Sequence, residues 1–356
     1  MILNAVKILL PAAVAFFVGI GITPALTHFL YKYKFWKKKA GKKTFDGEET
    51  PIFNSLHAGR EVGIPKMGGL VILASVAITT FLLWAIGSIW PQSVFPKLDF
   101  LSRDQTWLPL FTLIAGGLIG LIDDFLEVKG SGDYIAGGLS LRKRLILVAA
   151  IALGAAAWFY LKLDVAAIGV PFLGDVNIGL FFIPFFILTV IGIYSGGVID
   201  GIDGLAGGIF ATIFGAYSII AFAQEQINLA AFSAVVAGGI LAFLWFNIPP
   251  ARFYMSETGT MGLTIALAIV AFMTDSVGEG HGVLALPIIA APLVLTTASD
   301  IIQVTAKKIF GKKVFVIAPL HHHFEAKGWP SYKVVMRYWV LGIIFAVLGV
   351  VFALIG

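Results

Sequence analysis

Apolar runs of about 18 to 25 residues, broken by short polar interruptions, recur from one end of the chain to the other. Ten of them lie near 8–31, 68–90, 107–126, 144–162, 178–195, 204–223, 229–247, 259–275, 283–306 and 335–355. At 1.5 Å rise per residue, about 20 helical residues cross the hydrocarbon core of a bilayer, so each run is long enough to span it. The runs are rich in Gly, Ala, Leu, Ile and Phe, and they lack the roughly 10-residue alternating segments of a membrane barrel. The pattern predicts an all-α, polytopic membrane bundle of about ten transmembrane helices, forming one domain over residues 1–356. The first run is too long for a signal-peptide core and is preceded only by Lys7, which predicts a retained helix.

Composition supports the bilayer as solvent: 59% of residues are hydrophobic and 13% charged, and the mean hydropathy is +0.94. Charge orders the loops. Lys and Arg number nine from Lys32 to Lys66, four from Lys129 to Arg144, one (Arg252) in 248–258 and seven from Lys307 to Arg337. These stretches alternate, with 196–203 carrying no base between them, so the positive-inside rule places them in the cytoplasm and both termini outside. The net charge of +5 is then ordinary topogenesis. Nucleic acid has no place as a partner, because the bases flank spans rather than interleave with aromatics. With no cysteine, thiolate metal sites, iron–sulfur clusters, disulfides and a cysteine nucleophile are excluded. That leaves Asp, Glu and His for chemistry.

The polar clusters all fall on the side assigned to the cytoplasm. IGLIDDFLE (119–127) ends an apolar run in two adjacent acids, Asp123 and Asp124. Acids at a helix C-terminus oppose the macrodipole, and a compensating cation, Mg²⁺ first among them, would remove the conflict. The plain alternative is a helix ending in water. GGVIDGIDGLAGG (196–208) carries Asp200 and Asp203 among glycines that suit either close helix packing or a broken helix with free N–H groups for phosphate. Ionisable groups at such depth are costly and by default functional. FNIPPARFYMSETGT (246–260) adds Asn247, Arg252, Tyr254 and Glu257, and APLHHHFEAKGW (318–329) adds His321, His322 and His323. Three consecutive histidines point in different directions, which favours hydrogen bonds to an anion over three ligands on one metal. Phosphate is the common denominator of these groups.

On these residues the chain resembles the phospho-N-acetylmuramoyl-pentapeptide transferase family, within the polyprenyl-phosphate N-acetylhexosamine-1-phosphate transferases. IPKMGG (64–69) resembles the family's TPTMGG, and GLIDDF (120–125) its G-x-x-DD segment. DGIDGLA (200–206) is similar to DGLDGLA, FLWFN (243–247) is the family string, and APLHHHFE with GWPSYKVVMRYW (318–325, 328–339) resembles APxHHHFE and GWPExKVVxRFW. The chain departs from the pattern at Tyr194 and Gly197, where the family has asparagines, at Ser256 and Glu257 for Gly and Asp, and at Glu127 for a lysine. The resemblance implies transfer of phospho-MurNAc-pentapeptide from UDP-MurNAc-pentapeptide to undecaprenyl phosphate, giving lipid I and UMP, with Mg²⁺ as cofactor. It implies an enzyme of the bacterial inner membrane among membrane lipid, its site facing the cytoplasm, with a homodimer allowed. By the same resemblance Asp123 or Asp124 deprotonates the lipid phosphate, and Glu257 with Asp203 holds the metal. Asp200 and Gly201 face the nucleotide, His321 and His322 the phosphates, and Asn247, Tyr254 and His323 complete the substrate site. A sister transferase for another UDP-N-acetylhexosamine, a silent homologue and an ion-coupled transporter are the rival expectations.

Overall fold

The computed structural model describes residues 2–38, 62–130, 137–277 and 280–355. Most of the long basic loop (39–61) and the tip of the next one (131–136) lie outside the described residues. In chain order come α1 (Ile2–Lys32), α2 (Gly69–Ile89), α3 (Trp107–Lys129), α4 (Leu141–Lys162), a hairpin of β1 (Ala167–Val170) and β2 (Gly174–Asn177), and α5 (Phe182–Ser195). There follow α6 (Leu205–Ala223), α7 (Ile227–Asn247), α8 (Ser256–Phe272), α9 (Gly282–Ile289), α10 (Ala291–Phe310), a short α11 (Leu320–Ala326) and α12 (Ser331–Ile355). With nine helices among the described residues long and apolar enough to cross a bilayer, the chain is a multi-pass membrane protein; each helix satisfies its backbone groups internally where no water is available.

Burial orders the helices. About α8 the structure closes almost completely, with 94% of its apolar window buried, whereas α1 and α12 bury only 22% and 28% and present Leu, Ile and Val outward. Outward apolar faces of this kind are what lipid solvates. The centre of the bundle, α8, is therefore the scaffold on which the polar groups gather.

Two expectations change. Among the described residues, nine helices are long and apolar enough to span, and the expected span at 283–306 is instead the pair α9 and α10, bent by 69° at a break. Pro292 at the first turn of α10 has no N–H to continue the ladder of α9, and Ala290 stands at the break. The bend turns α10 toward the basic stretch 307–313 and the histidines. Gln303 fixes that exit, donating to the Phe315 carbonyl (2.9 Å) and accepting from the Val314 and Phe315 N–H groups (3.0 and 2.9 Å).

The second change is the antiparallel hairpin, pairing Ala167 with Asn177 and Val170 with Gly174, which adds two short strands to an otherwise helical molecule. Four-residue strands carry too little alternation to register as a sequence pattern. Asp275 anchors the hairpin, accepting from the Gly169 N–H (2.9 Å) and the Val283 N–H (3.0 Å).

Candidate active site

Close helix contact comes first. On α3, a Cβ at Gly116 would stand 3.0 Å from the Met261 carbonyl, and one at Gly120 would run into the Glu257 carbonyl. This four-residue small-residue spacing lets two backbones touch. The last turn of α3 is thereby pressed against the first turn of α8.

Asp124, fully buried, accepts from the Thr258 N–H (2.9 Å) and the Thr258 hydroxyl (2.6 Å) through Oδ2. The Thr258 N–H is among the first donors of α8, which have no partner inside that helix. The acid that opposes the dipole of its own helix thus sits at the favourable, N-terminal end of another. Asp200 joins it, accepting from the Ser256 N–H (2.8 Å).

Internal cations complete the balance. Lys66 pairs with Glu127 and lies 3.7 Å from Asp124 Oδ1, and Lys37 reaches Glu127 at 3.2 Å. Burial alone would lower the Lys66 pKa, but the Glu127 and Asp124 carboxylates outweigh it and hold the ammonium above the ordinary lysine range. Arg144, from the first turn of α4, pairs with Glu257, lies 3.9 Å from Asp123 Oδ2 and shares a hydrogen bond with Tyr194. Asp123 Oδ1 accepts from the Leu139 N–H (2.6 Å).

Oxygens of Asp123, Asp124 and Glu127 converge to within 4.8 Å of one another. Asp124 Oδ1, in this group, is buried and accepts no hydrogen bond among the described residues. A buried carboxylate oxygen that accepts no hydrogen bond and has the Lys66 ammonium no nearer than 3.7 Å, beside two further carboxylates, fits a hard divalent cation, which takes oxygen ligands. Asp203 and Glu257 stand outside that group: Asp203 Oδ2 accepts from the Ala251 N–H (3.1 Å), and Glu257 is held by Arg144.

The DGIDG segment is a turn, not a helix, and Gly204 enters α6 at φ +80°. Asp200 and Asp203 therefore reach different points of the 248–256 segment. Asn247 is a buried staple there, accepting from the Gly204 N–H (2.9 Å) and donating to the Phe253 carbonyl (2.8 Å). The Tyr254 backbone ties in the stretch that carries Lys66, donating to the Pro65 carbonyl (2.9 Å) and accepting from the Gly68 N–H (2.8 Å).

His321 and His322 on α11 come to this turn. A Cβ at Gly201 would collide with His321 Nε2 and stand 2.9 Å from His322 Nε2. His322 Nδ1 faces Glu325 Oε2 at 2.7 Å, and Ser331 donates to Glu325 Oε1 at 2.6 Å, so the second ring is oriented from behind. His323 turns away and accepts from the Val316 N–H (3.2 Å); burial and Lys327 lower its pKa. Acids from α3 and from the turn before α6 thus both bond backbone N–H groups at the start of α8, with two imidazoles beside the turn.

Comparison with known proteins addresses the same regions. A family profile described as Glycosyl transferase family 4 matches residues 106–275. The phospho-N-acetylmuramoyl-pentapeptide-transferase of Anoxybacillus flavithermus is 33% identical over 348 residues, 97% of each chain. Those of Bacillus mycoides and Bacillus velezensis are 36% and 33% identical, covering 96% of each chain. The chain belongs to the phospho-N-acetylmuramoyl-pentapeptide-transferase family.

Within that family pattern, the departures gather in one place. Tyr194 and Glu257 both contact Arg144, and Glu127 contacts Lys66. Gly197 lies against Thr260 of α8, where a Cβ would be 3.3 Å from the threonine Cβ. Sequence reasoning singled out the acids and histidines but not Lys66, Lys37, Arg144, Thr258 or Glu325. The positive-inside rule reads bases for topology alone. Lys66, a charge inside a Gly-rich approach to a span, was the signal available.

Proposed function

We propose that this enzyme, a phosphoglycosyl transferase by family, transfers phospho-MurNAc-pentapeptide from UDP-MurNAc-pentapeptide to undecaprenyl phosphate, giving lipid I and UMP. A phosphate oxygen of the lipid attacks the sugar-bearing phosphorus; the bond from that phosphorus to the bridging oxygen breaks, and UMP leaves. The observation that carries the reading is the convergence of Asp123, Asp124, Asp200 and Glu257 at the N-terminus of α8, with His321 and His322 beside Gly201. Both substrates are anionic, so alignment and charge neutralisation matter more than covalent help.

The proton acceptor for the lipid phosphate is drawn from Asp123 and Asp124. The turn at Asp200 and Gly201 receives the nucleotide, and the two imidazoles donate to phosphate oxygens. Tyr254 borders the substrate, His323 faces the loop at Val316, and Asn247 holds the turn and the 248–256 segment in register. Mg²⁺ would be held by the Asp123, Asp124 and Glu127 group, with Glu257 and Asp203 as the ligands the resemblance suggests, and would supply positive charge to the pyrophosphate. An apolar cleft of about 100 Å³ lined by Gly204, Ile248, Pro249, Tyr332, Val335, Met336 and Trp339 supports entry of a polyprenyl tail beside the turn.

The deciding experiment is release of UMP from UDP-MurNAc-pentapeptide in the presence of undecaprenyl phosphate and Mg²⁺. Turnover with this donor and not with UDP-N-acetylglucosamine is the expected result. Turnover only with the latter would make this a sister transferase, and none with either a silent homologue.

The site is proposed to face the cytoplasm from the bacterial inner membrane, with both termini outside and one domain over the whole chain. Because the chain has no cysteine, single cysteines report on this directly. Lys312→Cys should be shielded from an impermeant thiol reagent added to intact cells, whereas Asp104→Cys should react. Labelling of position 312 from outside would invert the topology.

A further inference from the structure

Two departures from the family pattern, separated by 61 positions, meet in one contact. Position 127 lies three residues after Asp124 on the same face of α3, where the family carries lysine and this chain carries Glu127. Position 66, where TPTMGG has its second threonine, carries Lys66. The Lys66 ammonium pairs with Glu127 and stands 3.7 Å from Asp124 Oδ1, with only 16% and 12% of the Lys66 and Glu127 side chains exposed.

From this geometry we propose that Lys66 and Glu127 are a charge-exchanged pair that keeps one ammonium beside Asp124 and thereby sets the affinity of the acidic triad for a divalent cation. The inference rests on the metal reading of that triad given above.

The exchange has a geometric basis. A lysine at 127 would reach Asp124 along its own helix, three residues back. Lys66 reaches the same carboxylate from across the site, and its backbone is pinned for that purpose. Gly68 donates to the Tyr254 carbonyl, Tyr254 donates to the Pro65 carbonyl, and Gly69 packs directly on Gly259 of α8. Glu127 without Lys66 would add a third carboxylate beside Asp123 and Asp124, leaving Lys37 at Glu127 and the looser Arg144 at Asp123 to offset it. Lys66 with a lysine at 127 would crowd two ammoniums around one acid. Each residue makes sense only with the other, and together they leave the net charge of the triad region where a single swap would move it by two units.

Lys66 is on this account a positioning residue, acting through the carboxylates. Opposite signs separate that role from a merely structural ion pair. The test is titration of the purified full-length protein in detergent with Mn²⁺, followed by electron paramagnetic resonance of the free ion. A unit charge about 4 Å from a bound cation, in partly buried surroundings, is worth about tenfold or more in affinity. Glu127→Lys should therefore weaken Mn²⁺ binding by about tenfold or more, and Lys66→Glu should tighten it by a similar factor. The double variant Lys66→Glu/Glu127→Lys should return to within about threefold of the parent and recover UMP release lost in the singles.

Should a charge reversal fail to yield monodisperse protein, the neutral pair Lys66→Met and Glu127→Gln must show the same two signs. Shifts of the same sign in both singles would overturn the proposal, and so would a double variant as weak as Glu127→Lys. A parent protein that binds no Mn²⁺ would overturn it together with the metal reading. Failure of UMP release in a parent that does bind Mn²⁺ would strike the proposed reaction instead, because the Mn²⁺ comparisons need no donor.

Discussion

Asp123→Asn and Asp124→Asn are each expected to lower the turnover of UMP release by about 10²-fold or more, the scale of a lost acid–base group. The two should differ in stability. Asp124 caps α8 through the Thr258 N–H and hydroxyl and faces the Lys66 ammonium at 3.7 Å. Asparagine can still accept from the Thr258 N–H through its amide oxygen, but it gives up the charge on which both Lys66 and the helix terminus draw. Loss of a negative charge at a helix N-terminus typically costs about 0.3–1 kcal/mol, and up to about 2 kcal/mol where it is partly buried, so Asp124→Asn should lower the thermal midpoint in detergent. Asp123 makes one backbone hydrogen bond, from the Leu139 N–H, and a looser approach to Arg144. Its Asn variant should unfold close to the parent midpoint while losing turnover equally. Full activity in both variants would reduce the pair to a helix terminus that serves packing alone.

The second large effect is expected at Gly201. A methyl group there has no room: its carbon would overlap His321 Nε2 and come within 2.9 Å of His322 Nε2 and 3.1 Å of His321 Cε1. Contacts under 3.0 Å force something to move, and the choices are unequal. The His322 ring is fixed from behind by Glu325, itself held by Ser331, and His321 is wholly buried. The turn is tied by Asp200 to Ser256 and by Asp203 to Ala251. Gly201→Ala should therefore separate the histidines from the turn by about 1 Å, a misplacement that can cost about 10²-fold in rate even away from the reacting atoms. Steady-state UMP release checks this, with thermal unfolding alongside. A substantial loss of turnover with a nearly unchanged midpoint is the expected signature. Wild-type turnover would mean that the imidazoles do not act through this contact.

Both predictions concern groups whose importance was visible in the sequence and whose partners were not. The acids of IGLIDDFLE and DGIDG were legible because an ionisable side chain at the end of an apolar run carries a desolvation cost that needs a reason. What meets that cost was legible only in part. The dipole conflict at Asp124 predicts a metal, and the structure, whose acidic group fits one, adds the N-terminus of α8 and Lys66 close by. The histidine run divided as its geometry required: two rings face Gly201 and the third faces the loop at Val316. The amide of Asn247, which the resemblance places in the substrate site, is engaged by Gly204 and Phe253.

The sequence by itself determined the helical, multi-pass architecture, the rough position of nine of the spans, and the residue types available for chemistry. Those properties are local. Hydropathy is summed over one segment at a time, and a helix in lipid satisfies its own hydrogen bonds without reference to its neighbours. Only the tertiary structure decided that α9 and α10 bend, that a hairpin rests on Asp275, that Gly120 lets α3 touch α8, and that Lys66 meets Glu127. Each depends on atoms brought together from distant parts of the chain by close packing, where one methyl group more or less changes which partner is within reach. Apolar periodicity reports which face of a helix avoids water; it carries no information about which other helix that face will meet.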